Sequence, residues 1–183
     1  MATYVLIHGS FIGGWCWNKV KKNLENSGHR VYAPDLPGHS IDSVIPAADI
    51  TFDRYVSFVS KLVNELDGKV ILVGHSLGGA IITKVVEYVS DKIDMLVYVC
   101  AVVPKSGESV SEIIQDDSTV KSTVKVDKEK MHIEINYSVL AGTLFKGCEK
   151  SDIDYAFTKL VPQPLIPLKE PILLENKLYK KLN

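Results

Sequence analysis

Charge of one sign is not in surplus here: 21 Lys and Arg stand against 22 Asp and Glu, a net charge of −1. Proteins that hold nucleic acid or an anionic membrane by its phosphates need a basic excess, so neither partner is expected. No apolar run reaches the roughly 18 residues that cross a bilayer, so no membrane span is expected. The N-terminus has no basic region ahead of an apolar stretch, so no secretory signal is expected either. Cysteine is scarce and odd in number. Cys16, Cys100 and Cys148 lie far apart, which suits reduced thiols in the cytoplasm and not a disulfide framework. No His or Cys grouping has the spacing of a zinc cluster, so no metal is expected. Repeats and low-complexity runs are also missing. What remains is an ordinary globular composition, with 183 residues, 46% of them hydrophobic and 23% charged. That is enough for one cored domain with an added lid.

The stretch from Lys69 to Val89 organises the rest. Val70-Ile71-Leu72-Val73 reads as a buried strand. Ile81, Ile82, Val85, Val86 and Val89 fall on one face of a helix. Between them lies Gly74-His75-Ser76-Leu77-Gly78, a G-x-S-x-G pentapeptide at a strand-to-helix junction. A nucleophilic serine on such a tight turn has strained backbone angles, and its neighbours two places away must be nearly free of side chain. The turn also sets Ser76 at the positive end of the helix dipole, where developing negative charge is favoured. Ser76 is therefore the candidate nucleophile and Gly74 and Gly78 the elbow glycines.

The rest of the chain supplies a frame for that elbow. Tyr4 to Ile7 reads as a strand leading into the glycine-rich loop His8-Gly9-Ser10-Phe11-Ile12-Gly13-Gly14. Trp17, Val20 and Leu24 mark a helix ending near Gly28. Arg30 to Ala33 is a second short strand, stopped by Pro34-Asp35-Leu36-Pro37-Gly38-His39. Thr51 caps a helix whose face carries Tyr55, Val59, Leu62 and Leu66. Met95 to Val103 is a nearly continuous apolar strand. Strands alternating with helices, each apolar on both faces, imply an α/β fold with a mostly parallel sheet flanked by helices. After Pro104 the pattern changes. Val124 to Ile135 reads as a small hairpin, Tyr137 to Gly147 as a helix, and Ser151 as the start of a helix with Asp154 completing a capping box. Pro162, Pro164, Pro167 and Pro171 predict an extended route. The expected domains are a core over 1–104, a lid over 105–170, and a return segment over 171–183.

An acyl-transfer serine needs donors for the oxyanion. The backbone N–H after the nucleophile, at Leu77, is one; the N–H of Ser10 in the glycine loop is the other. Phe11, Trp15, Leu140, Leu144 and Phe145 are candidate lining for an apolar pocket, although plain core packing accounts equally for each.

Several segments together resemble the α/β-hydrolase superfamily, in the branch of plant methyl-ester esterases, hydroxynitrile lyases and bacterial relatives: Val5-Leu-Ile-His-Gly9, Gly13-Gly-Trp-Cys-Trp17, Asp35-Leu-Pro-Gly38 and Val70-Ile-Leu-Val-Gly-His-Ser-Leu-Gly-Gly79. Cys148 to Asp154 and Leu160 to Leu165 resemble that branch's lid. The resemblance implies the roles given to Ser76, Ser10 and Leu77, hydrolysis of small carboxylic esters through an acyl-enzyme, and no cofactor. His75-Ser76-Leu77 looks like the esterase version of the elbow.

The resemblance also implies a triad acid and histidine beyond the lid, after further core strands that have no counterpart before Asn183. Among the five histidines, His75 is expected to pack beneath the nucleophile and His8 to be structural. His29, His39 and His132 are expected to be solvated. The chain as written is therefore expected to be a weak hydrolase. The alternative is a non-catalytic relative that binds a small apolar ligand or a protein partner. The Met95 to Val103 strand is expected to be an exposed edge through which the chain forms a homodimer.

Overall fold

The computed structural model describes residues 1–115, 124–136, 142 and 145–175. Its main sheet has four parallel strands, β1 (Thr3–Ile7), β2 (Arg30–Tyr32), β3 (Val70–His75) and β4 (Ile93–Val99), in the order β2-β1-β3-β4. Parallel neighbours need crossovers, and three helices supply them: α1 (Asn18–Asn26), α2 (Phe52–Glu65) and α3 (Leu77–Val89). Alternation along the strands splits the apolar residues between two layers. Val5, Ile7, Val70 and Leu72 join the cluster built by α2 and α3, whereas Leu6, Val31 and Val73 pack with Trp17 and, at its margin, Leu24 of α1. Covered on both faces, β1 and β3 can be apolar throughout, as the sequence pattern implies, whereas no residue of β4 is fully buried.

β3 lies between β1 and β4, so the elbow at its end faces the loop that leaves β1. Ile7 pairs with Gly74 at that end of the sheet. α3 is buried nearly all round and not on one face alone, because it is wedged between the sheet, α2 and the chain near Leu173. Even Lys84 is buried there; its Nζ is paired with Glu87 and donates to the Leu173 carbonyl.

β4 is an edge, as expected, but its extent differs. It starts at Ile93, its register slips by one residue at Asp94, and it ends at Val99. Cys100 takes a left-handed φ of 44°, which turns the chain away, and Val102 N–H then donates to Ser76 O at 3.0 Å. Residues 100–103 thus brace the elbow and do not extend the edge.

After Pro104, α4 (Val110–Ile113) begins with a full capping box between Ser109 and Glu112. β5 (Val124–Asp127) and β6 (His132–Ile135) form the expected hairpin, joined by β7 (Gln163–Pro164) in a small antiparallel sheet. The helix expected from Ser151 runs Lys150–Phe157 with Glu149 at its cap and no side-chain cap bond. The capping-box reading fails there because Ser151 lies inside the first turn and Asp154 pairs with Lys150. The proline-rich stretch is not extended throughout: a short helix, Ile166–Lys169, uses a proline in its first turn, where no N–H is needed. The helix expected over Tyr137 to Gly147 lies mostly outside the described residues.

Candidate active site

Ser76 has φ 51° and ψ −121°, a conformation rarely held by a residue with a side chain. Three backbone bonds hold it there. Ser76 O accepts from Gly79 N–H at 2.9 Å and Val102 N–H at 3.0 Å, and Ser76 N–H donates to Val99 O at 3.4 Å. The residue is half-buried and so reaches solvent. The glycines around it are required by close approach. A Cβ on Gly74 would lie 2.6 Å from the Gly78 backbone, and one on Gly78 would lie 2.5 Å from Ile7 O. The first turn of α3 is thereby pressed onto the end of β1.

Gly9 serves close approach and not a left-handed turn. A Cβ there would sit 2.8 Å from Ser76 Cβ and 3.2 Å from His75 O, so Gly9 is where the glycine loop touches the nucleophile. The left-handed position in this loop belongs to Phe11, at φ 66°. Ser10 is half-buried between these two, and Leu77 is buried just after Ser76.

The candidate pocket residues scatter. Phe11 is half-buried, packs against the main core cluster, and its carbonyl accepts from Val161 N–H at 3.0 Å. Trp15 meets Tyr155 edge-on at 5.8 Å and lines a cleft of about 380 Å³ with Asn18, Asp35 and Lys159, away from Ser76. Phe145 packs edge-on with Phe157 at 6.0 Å. Leu140 and Leu144 lie outside the described residues.

Each histidine is engaged. His75 is half-buried and edge-on to Trp17 at 6.3 Å; burial lowers its pKa. His8 is fully buried, with Nδ1 2.8 Å from Gly9 O and Nε2 accepting from Leu36 N–H at 3.0 Å; burial pushes it down to about 4. His29 accepts from Ala2 N–H at 3.2 Å. His39, expected to be solvated, is 1% exposed. It bonds Ile12 O at 3.0 Å and Tyr55 O–H at 2.9 Å, and burial takes it down to about 3. Local sequence marks His39 only as a loop residue; His8 and Tyr55 of α2, whose rings pack against it, come from elsewhere along the chain.

His132 is half-buried and not solvated. It lies beside Glu134 at 3.3 Å, and with Asp127 these groups place their ligand atoms within 4.8 Å of one another. Zinc-like spacing was not expected from sequence, and the hairpin register alone creates this grouping. Asp127 already accepts from Lys130 N–H at 3.0 Å, so the set is internally partnered. Among the described residues, no histidine bonds the Ser76 hydroxyl.

Strand, strained serine, glycine loop and helix occur together in an order that a family comparison can decide. The profile of the "Alpha/beta hydrolase family" matches residues 4–128. The chain belongs to that family. Methylesterase 1 of Arabidopsis thaliana is 42% identical over 114 residues, 61% of this chain and 43% of that protein. A carbendazim hydrolyzing esterase from Nocardioides sp. (strain SG-4G) is 38% identical over 116 residues, 62% of this chain and 48% of that protein. Among solved structures, a methylesterase protein MES16 from Arabidopsis aligns with a TM-score of 0.81 at 25% identity, covering 100% of this chain and 75% of that chain. This alpha/beta hydrolase thus spans about half the length of the curated relatives it matches. Among its described residues no helix is long and apolar enough to cross a membrane.

Proposed function

We propose that this chain carries the nucleophile of a serine carboxylic-ester hydrolase acting on small, fairly apolar esters. The observation that carries the reading is the strained φ of 51° at Ser76, held by backbone bonds directly against Gly9. Strain of this kind costs about 1–3 kcal/mol and persists where a side chain must be presented. In the complete reaction Ser76 Oγ attacks the ester carbonyl carbon and gives up its proton to a histidine base, a role that none of the five histidines fills where it stands. The tetrahedral oxyanion is held by the N–H groups of Ser10 and Leu77. The ester C–O bond breaks, the alcohol leaves with the proton, and water then releases the acid from Ser76. Of the candidate pocket residues, Phe11, which follows Ser10 in the loop touching Ser76, is proposed to shape the apolar side of the site. The names of the relatives support the ester class, and no metal or organic cofactor enters the scheme.

A second reading, binding of a small apolar ligand or a partner without turnover, is favoured by one observation: the five histidines are all occupied away from Ser76. Without a base a serine stays protonated, and losing it costs several orders of magnitude in rate. Turnover of p-nitrophenyl acetate by the chain and by Ser76→Ala separates the two. The first reading expects a rate that falls to background in the variant; equal rates leave only the second.

A further inference from the structure

The loop that touches Ser76 is held by two buried imidazoles that lie against each other, one bonded to Gly9 O and the other to Ile12 O. A carbonyl only accepts and an amide N–H only donates, so the bonds of His8 fix its tautomer: the proton is on Nδ1, facing Gly9 O, and the lone pair on Nε2 receives Leu36 N–H. His39 follows the same rule. Nδ1–H donates to Ile12 O and Nε2 receives the Tyr55 O–H, while Tyr55 lies 3.5 Å from Gln163 Nε2. Both rings are neutral with both nitrogens used, and their centroids are 4.9 Å apart. The charged or titratable groups around them are few. Asp35 faces His8 and gives its carboxylate to Gly14 N–H at 2.7 Å, His75 faces His8 from β3, and Tyr55 faces His39 from α2. A second proton on either ring removes the lone pair that accepts Leu36 N–H or Tyr55 O–H, and sets a buried cation against the other ring.

We infer that His8 and His39 are positioning residues: as a neutral pair they tie the Gly9 to Gly14 loop to the Pro34 to His39 loop, to α2 and to β7. A second proton on either ring releases that loop reversibly while the sheet stays folded. The consequence at Ser76 rests on the ester-hydrolase reading; the loop behaviour does not. Desolvation disfavours the charged form of both rings, which supports the direction, since the ordinary value of 6.5 falls to about 4 at His8 and about 3 at His39.

Hydrogen exchange on the full chain between pH 7 and pH 4 tests this. Leu36 N–H reports directly on His8 Nε2, Gly14 N–H reports on the loop, and Leu72 N–H reports on the sheet. Linkage from those pKa values predicts that at about pH 4.5 protection at Leu36 and Gly14 falls at least about tenfold, with Leu72 staying far more protected than either and full recovery at pH 7. Trp15 and Trp17, the two tryptophans of the chain, follow the loop directly, so their emission should shift over the same range. His39→Asn keeps a donor for Ile12 O but cannot take the proton, and its emission should lose about half of the acid dependence, His8 keeping the rest. If that variant does not fold, the wild-type exchange decides alone. Protection retained at Leu36 and Gly14 down to pH 4, or protection at Leu72 reduced to the level of theirs, overturns the inference. Ester turnover in the same samples separates the two proposals. Loop release without any Ser76-dependent turnover defeats the hydrolase reading only; turnover that falls in acid while the loop stays protected defeats this one only.

Discussion

At the scale of single residues, Ser76 and Gly9 are in direct conflict for space and conformation, and each is set by the other. Ser76→Gly should relieve the φ of 51° and raise stability by about 1 kcal/mol while removing the nucleophile, read as a higher urea midpoint at unchanged slope. Gly9→Ala should do the reverse. Its Cβ would fall 2.8 Å from Ser76 Cβ with the His75 backbone behind it, so a loss of about 1–3 kcal/mol is expected together with a displaced Ser76. The elbow was legible in the sequence because its determinants are local: two glycines, one serine and a strand-to-helix junction within a few residues. Gly9 was legible as a loop glycine but not as a contact, since the contact belongs to another strand's end. His39 was misread for the same reason. Nothing within its own loop announces that His8 and α2 will pack against it.

Among the elements, α2 shows how capping ties distant segments together. Thr51 Oγ1 accepts from Arg54 N–H at 3.1 Å, as its place before the apolar face predicts, and Glu170 accepts from Phe52 N–H at 2.6 Å across the fold. Thr51→Ala should therefore cost about 1 kcal/mol. Glu170→Ala should cost a comparable amount and also loosen the Ile166–Lys169 turn, which thermal unfolding and exchange at Phe52 would register. The Thr51 cap could be read from a single turn of sequence. The Ser151 cap could not, because Lys150 already lies in the helix and takes Asp154 as its partner, whereas Ser109 and Glu112 make the box that Ser151 was expected to make. The parallel order of the strands was legible in outline from apolar runs alternating with helices. The end of β4 was not, since the run stays apolar through Val103 while the backbone turns at Cys100 to brace Ser76.

For the whole molecule, two consequences follow from what is buried and what is left open. His8 and His39 are held neutral, with folded values of about 4 and about 3 against 6.5 in the unfolded chain. Lowered values mean that the unfolded chain binds more protons below pH 6.5, so stability is present above that pH and lost as pH falls toward 4. Each ring contributes up to about 1.4 kcal/mol per pH unit in that window, and urea midpoints measured from pH 7 to pH 4.5 should show it. The open side of β4 has Met95 54% and Val99 38% exposed, with neither lysine nor proline in the strand. We propose that a second copy pairs along it, the arrangement that removes two such edges at once. Met95→Lys should convert a dimer to a monomer in sedimentation at high concentration; a monomeric parent chain would end that idea. The central claim remains that Ser76 is presented for covalent chemistry, and its most direct measurement is peptide mapping of the chain after incubation with an activated aryl ester. The account predicts a single acyl group, on Ser76, that disappears in Ser76→Ala. Acylation confined to lysines, unchanged in the variant, would contradict it.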